Sequence, residues 1–265
     1  MLIQSFNYHT HTSRCGHGYG NDEDYINSAI ASGYKILGFS EHIQYRADNG
    51  KYNRIDYEDF DEYFSSIRDL KKKYKDIIDI YCGLEVSFIP EWMQDIYEIQ
   101  KKCDYLILGQ HQGGVNSLKY DELCTDRDVI HYARDIYYAL RTGLISIIAH
   151  PDYFMLTRNT WNDACEKAGH MICYYAKKFN IPLEFNLKGF RSEKRKIDGQ
   201  FVYPYPNNNF WKIADWYKSP VIFGIDAHRP SELCDNYIFE IAEKFISNLN
   251  LNILHEFYPN NNILN

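Results

Sequence analysis

Pro220-Val221-Ile222-Phe223-Gly224-Ile225-Asp226-Ala227-His228 is a short apolar, β-branched run that ends in two metal-type side chains. Such a run reads as a buried strand. Helix-like amphipathic segments flank it, near 208–218 and 231–248. The same grammar extends back through the chain. Runs at Ile3–His11, Lys35–His42, Ile78–Phe88, Tyr105–Gln112, Leu144–His150 and Pro182–Asn186 alternate with helix-like segments near 22–33, 57–75, 91–102, 128–142 and 161–179. Seven strands alternating with helices predict βαβ units and a parallel sheet. At 265 residues this is an α/β chain, and a closed, TIM-like barrel is expected.

Each run delivers a polar or metal-type side chain at its carboxyl end. The first ends Tyr8-His9-Thr10-His11, the second Glu41-His42, and the third carries Gly83-Leu84-Glu85. The fourth ends Gln110-His111, the fifth His150-Pro151, the sixth Glu184-Phe185-Asn186 and the seventh Asp226-Ala227-His228. In a parallel barrel these ends converge on one face. His9 and His11 are two apart on a strand, so both point the same way, and Asp226 and His228 repeat that spacing. His17 follows in a loop whose Gly16 and Gly18 allow a tight return. A lone strand-end histidine is usually structural. Seven of the ten histidines placed so, with one Glu and one Asp, predict a metal centre. Imidazole with carboxylate suits Zn, Fe or Mn. His131, His170 and His255 lie in or near helix-like segments and read as structural.

Composition narrows the function. The 29 Lys and Arg against 36 Asp and Glu give a net charge of −7, which argues against a broad nucleic-acid surface. The 24 Tyr and 15 Phe show no regular interleaving with basic residues and read as packing aromatics. No segment is long and apolar enough for a membrane span, and Met1-Leu2-Ile3-Gln4-Ser5-Phe6 lacks the basic start and apolar run expected of a signal peptide. Seven cysteines without a CxxC pair suit free thiols in a cytoplasmic protein. No repeat or linker is evident. Asn207-Asn208-Asn209 reads as a loop and Asn260-Asn261-Asn262 as a frayed tail.

The ordered set HxH, loop His, EH, Glu, His, HP and DAH resembles the PHP (polymerase and histidinol phosphatase) superfamily over nearly the whole chain. His150-Pro151-Asp152-Tyr153-Phe154, Leu183-Glu184-Phe185-Asn186 and Gly224-Ile225-Asp226-Ala227-His228 look most like its histidinol-phosphate phosphatase branch. The resemblance implies one domain over 1–265, a distorted (β/α)7 barrel, and a trinuclear centre of divalent Zn, Fe or Mn. It implies that His9, His11, Glu85 and Asp226 hold one metal, that Glu85, His111 and His150 hold the second, and that His17, His42 and His228 hold the third. Its expected activity is hydrolysis of a small phosphomonoester, most of all L-histidinol phosphate, by a metal-bound hydroxide. Glu85, Asp226 and His228 are then the candidate catalytic residues. Arg158 and Arg191 are expected to clamp phosphate, Glu184 and Asn186 to hold the organic part, and Glu41 or Asp152 to orient an imidazole.

One departure stands out. The sequence reads Asn186-Leu187-Lys188-Gly189-Phe190-Arg191 where the histidinol-phosphatase pattern favours Thr-Ser after the Asn. Other phosphoesterase substrates are therefore kept in view, as is a non-catalytic metal-binding module. A nuclease needs a basic track, for which Lys71-Lys72-Lys73 and Lys194-Arg195-Lys196 are the dense clusters. Three dications against two ionised ligands make the expected site locally positive despite the chain's net charge, so a phosphate ester is compatible with it.

Overall fold

The computed structural model describes residues 4–46, 54–114, 119–122 and 124–259. Ile3, where the first run begins, and the Asn260-Asn261-Asn262 tail lie outside the described residues.

Seven strands form where the apolar runs stand: β1 (Phe6–Asn7), β2 (Ile36–His42), β3 (Asp79–Val86), β4 (Tyr105–Leu108), β5 (Ile147–Ile148), β6 (Leu183–Asn186) and, after a hairpin, β9 (Pro220–Gly224). All pair in parallel and in chain order. The curl closes where β1 runs on toward β9. His11 N donates to Ala227 O at 2.8 Å and Ala227 N to His9 O at 3.2 Å. Below that bridge the ladder is completed by side chains. Gln4 Oε1 accepts from Phe223 N and Asn7 Oδ1 from Ile225 N, each at 2.9 Å. This is the expected distorted seven-stranded barrel. An eighth parallel strand, β10 (Asn252–Ile253), was not expected and pairs with the start of β9. The antiparallel hairpin β7 (Arg195–Ile197) and β8 (Gln200–Val202) was not expected either. Its turn is Asp198-Gly199, both at positive φ, the pair that a tight hairpin turn selects.

The helices are α1 (Asp22–Ala31), α2 (Phe60–Lys73), α3 (Met93–Ile99), α4 (Asp126–Arg141), α5 (Asp163–Phe179), α6 (Asn208–Tyr217) and α7 (Asn236–Ile246). α4 begins two residues before its expected start because Thr125 and Asp128 form a reciprocal capping box. α3 and α7 are shorter than their amphipathic segments, whose ends wind into 3-10 turns. No helix among the described residues is long and apolar enough to cross a membrane.

Strand alternation sorts the side chains into two sets. Leu37, Phe39, Leu84, Leu106, Ile148, Phe185 and Phe223 join the large core that the helices cover. Phe6, Tyr8, Ile36, Tyr105, Ile107, Ile147 and Ile222 form a separate cluster inside the barrel. The Tyr105 hydroxyl locks this plug, donating to the Tyr8 and Phe39 carbonyls at 2.7 and 2.8 Å. Further along the same strands, the inward positions become the polar residues of the site.

Candidate metal centre

The strand register builds the site. His42 of β2 pairs level with Glu85 of β3, and Gly83 with Tyr105 of β4, so the carboxyl ends of neighbouring strands stay aligned. Glu85 stands at the centre, 2% exposed. Its Oε2 lies 2.9 Å from His42 Nδ1 and 3.3 Å from the Nε2 atoms of both His9 and His11. Its Oε1 lies 2.9 Å from His150 Nε2 and 3.6 Å from His111 Nε2. Burial alone would raise this carboxyl, but His42, His9 and His111 hold it well below the ordinary range. Asp226 is held low too: burial opposes ionisation, and His9, Lys188 and His228 overcome it.

Local backbone aims these groups. Ile147 and Ala149 face inward on β5, so plain alternation would turn His150 outward. A left-handed backbone at His150, φ 28°, brings its imidazole back to Glu85. Asp226 is also left-handed, at φ 50°. Two non-glycine residues in a disfavoured conformation at one site mark strain that the surrounding fold maintains. Space is made as well. A Cβ at Gly109 would overlap the Glu85 carboxylate, and one at Gly224 would overlap that of Glu184.

His17 arrives from the loop after β1, where Gly16 takes φ 76°. Its Nε2 meets His228 Nε2 at 2.8 Å. His11 is fully buried and stacks on His42 and His228 at 4.2 and 4.4 Å between ring centroids. Among the described residues neither ring nitrogen of His11 has a hydrogen-bond partner of good geometry, although Nε2 lies 3.3 Å from Glu85 Oε2. A buried imidazole without a partner costs stability unless something else occupies its lone pair. Burial pushes His42 and His228 down to about 3, and His11 and His111 well down, which keeps these rings neutral and able to ligate.

Ligand atoms within 4.8 Å of one another group as His9, His11 and Asp226; as His9, Glu85 and His150; as His11, His42 and Glu85; and as His17, His42 and His228. The overlap is centred on Glu85, whose two oxygens face different histidines. His9 differs from the neutral rings: burial opposes its charge, but Asp226, Glu184 and Glu85 overcome this and push it well up, so a cation would have to displace a proton there. Orphaned buried nitrogens, glycine-cleared carboxylates and the neutral rings of His11, His42, His111 and His228 together fit divalent cations. Eight of the nine residues expected to hold metal stand in these groups, and the ninth, His111, reaches the same carboxylate from 3.6 Å without joining a group.

The expected substrate residues are placed differently. Arg158 is buried away from the cavity, with Nη1 donating to Cys124 O at 2.9 Å and Nη2 to Asp126 Oδ1 at 2.6 Å. Arg191 donates to Ile225 O and Glu232 O and pairs with Asp235. Each guanidinium ties two loops together, and neither lines the cavity over Glu85. Glu184 points inward but is 1% exposed and accepts from His9 Nδ1 at 2.7 Å and from His150 N at 3.1 Å. It thereby orients His9, the task expected of Glu41 or Asp152. Glu41 faces the other side of β2 and accepts from Thr12 N, and Asp152 accepts from Asn207 N. Asn186 links Glu184 to Asp226 through its Nδ2, at 2.9 and 3.2 Å. His170 pairs with Tyr217 and Glu166 on the outer surface, as a structural residue should.

The cavity above the centre measures 380 Å³, enough for a small ligand. Besides the histidines, Glu85 and Asp226 it is lined by Arg54, Lys119, Asp121, Tyr153, Leu156, Lys188, Ser192 and Tyr205. The sequence alone assigns a role to none of these eight. For Lys188 a signal existed: with Glu184 and Asn186 it continues an i, i+2, i+4 series off β6. Neither dense basic cluster lines the cavity. Lys71, Lys72 and Lys73 pair with Asp104, Asp69 and Glu23 on the surface. Arg195 and Lys196 lie in β7, and Lys194 stacks on Tyr203.

Fold and site define an α/β barrel with a histidine-carboxylate cluster able to hold metal at the carboxyl ends of its strands. Residues 7–187 match the PHP domain, and the chain belongs to that family. It is 24% identical to the histidinol-phosphatase of Bacillus subtilis over 90% of this chain and 98% of that one. A Schizosaccharomyces pombe protein named "probable histidinol-phosphatase" is 33% identical over 124 residues, 43% of this chain and 40% of that protein's length. The fold superimposes on a histidinol phosphate phosphatase from Lactococcus lactis, solved with zinc, L-histidinol and phosphate. That match has a TM-score of 0.70 at 16% identity and covers 95% of each chain.

Proposed function

We propose that the protein is a metal-dependent phosphomonoesterase that hydrolyses L-histidinol phosphate to L-histidinol and phosphate, a step of histidine biosynthesis. The observation that carries this reading is Glu85, whose two carboxylate oxygens are ringed by five imidazoles beneath a cavity of small-ligand size. The relatives' names support the substrate.

In this reading the centre is trinuclear. His9, His11, Glu85 and Asp226 hold one ion, Glu85, His111 and His150 the second, and His17, His42 and His228 the third, as zinc, iron or manganese. Such cations supply Lewis acidity toward phosphoryl oxygens and a nucleophile at neutral pH. The chain's own residues do the positioning. Glu184 takes the Nδ1 proton of His9 and so leaves Nε2 facing Glu85. Asn186 holds Asp226 against that same carboxylate. Tyr153 and Tyr205 pack edge-on at 5.6 Å and offer an aromatic wall to the organic part, with Asp121 available to a cationic group at the rim. Arg158 and Arg191 serve the scaffold rather than the phosphate. Glu85, Asp226 and His228 remain the catalytic candidates. The reading also takes residues 1–265 as one domain, and the free cysteines suit the cytosol.

The test is turnover by metal-loaded protein of L-histidinol phosphate beside nucleotides, sugar phosphates, phosphotyrosine and a labelled oligonucleotide. The expected result is a kcat/KM for L-histidinol phosphate at least tenfold above every competitor. Preference for another ester would keep the chemistry and replace the substrate. No turnover of any would return the chain to a metal-binding module.

A further inference from the structure

We infer that Lys188 is a phosphate-binding residue of this site, at a position where the histidinol-phosphatase pattern has a small hydroxyl side chain. The inference rests on the phosphoesterase reading above and adds to it the group that meets the phosphate.

The backbone at Lys188 is held from several sides. Asn186 Oδ1 accepts the Lys188 N–H at 3.0 Å, which starts a short 3-10 turn over Leu187–Arg191. Leu187 and Phe190 are buried on the core side. Gly189 packs so closely on the Tyr205 carbonyl that a Cβ there would overlap it. The turn therefore cannot swing, and the lysine stem starts from a fixed point on the cavity wall.

The ammonium reaches the centre itself. Nζ lies 3.3 Å from Asp226 Oδ1 and 3.2 Å from His228 Nδ1, while the side chain stays 36% exposed to the cavity. Both of its partners are metal-ligand candidates. Asp226 and His228, if each ligated a dication, would have their lone pairs taken, and the ammonium would be repelled. Nζ then has three donors to satisfy and a flexible four-carbon stem on which to move. An anion in the cavity is the partner of matching charge within its reach. Arg54, from the segment after β2, donates from Nη1 to Ile43 O at 2.9 Å and lines the same cavity. Lys188 and Arg54 are thus two of the cations on its wall. A phosphate monoester, with three terminal oxygens, can accept from both and still face the centre.

The test compares Lys188→Met, which keeps the stem and removes the charge, with Lys188→Arg, which restores a cation. Each metal-loaded protein is titrated calorimetrically with inorganic phosphate, its metal content is measured, and kcat and KM are determined on L-histidinol phosphate. The expected result for Lys188→Met is a ten- to hundredfold weaker phosphate affinity and a KM raised in parallel, with unchanged metal content. Lys188→Arg should recover most of both. Unchanged phosphate affinity in Lys188→Met at equal metal content would overturn the assignment. So would a loss of affinity that only tracks a loss of metal, since Lys188 would then be part of the metal scaffold. If the parent turns over no phosphomonoester but Lys188→Met still weakens phosphate binding, the proposed function falls and the assignment of Lys188 stands.

Discussion

The two ends of the barrel interior are built by the same strands and are chemically opposite. At the amino end, Phe6, Tyr8, Ile36, Tyr105, Ile107, Ile147 and Ile222 close a dry plug. Its buried hydroxyl, on Tyr105, has two carbonyl partners. At the carboxyl end the inward positions are histidines and carboxylates, and among the described residues the ring nitrogens of His11 and the Nδ1 of His150 have no hydrogen-bond partner of good geometry. One end is satisfied by the fold and the other is left wanting a ligand. The difference teaches that the plug sets the geometry and the open end holds unspent coordination.

That contrast can be broken in several ways. Glu85→Gln should have the largest effect. It removes the charge that five imidazoles face, so bound metal and activity should fall together, activity by about a thousandfold or more. A variant that keeps its metal and turns over normally would end the reading of Glu85 as the hub. Tyr105→Ala attacks the other end and should cost about 3–5 kcal/mol of stability by leaving a cavity and two orphaned carbonyls, measured by denaturant unfolding. Unperturbed stability there would mean that the plug does not set the geometry. Glu184→Gln tests the link behind the centre. It should weaken metal affinity about 10- to 100-fold with the fold intact, read by chelator competition. The smallest effect belongs to a carboxyl buried without imidazoles. Burial lifts Asp135 to about 7, although Tyr120 and Gln110 donate to it and Arg134 is near. Its folded form keeps a proton that the unfolded chain releases near pH 4, so this group makes stability fall as pH rises from about 4 to 7. Asp135→Asn should flatten that slope, which linkage sets at no more than about 1.4 kcal/mol per pH unit within the window. An unchanged slope would show that Asp135 is already ionised.

The alternation of apolar runs and amphipathic segments was enough to give seven strands, seven helices and their parallel order, because hydrophobic period is a local property of the chain. The ligands were legible for a related reason. Short side chains such as those of His9, His11 and Asp226 go where a strand end sends them, and the register of neighbouring strands does the rest. Arg158, Arg191, Glu184 and Glu41 were not legible in this way. Long or multidentate side chains choose partners from whatever acceptors and donors come near in space, and those come from elements 29 to 175 residues away in sequence.

Local patterning in the chain is enough for the seven barrel strands and seven helices, though not for β10 or the β7–β8 hairpin, and for the face where nine metal-type side chains gather. Packing settles which of them share an oxygen of Glu85, why His150 turns inward, and which cations line the cavity. The physical reason is range. Periodicity and strand-end chemistry are set by neighbours a few residues apart, whereas hydrogen-bond partners and clearances are set by whatever packing brings together.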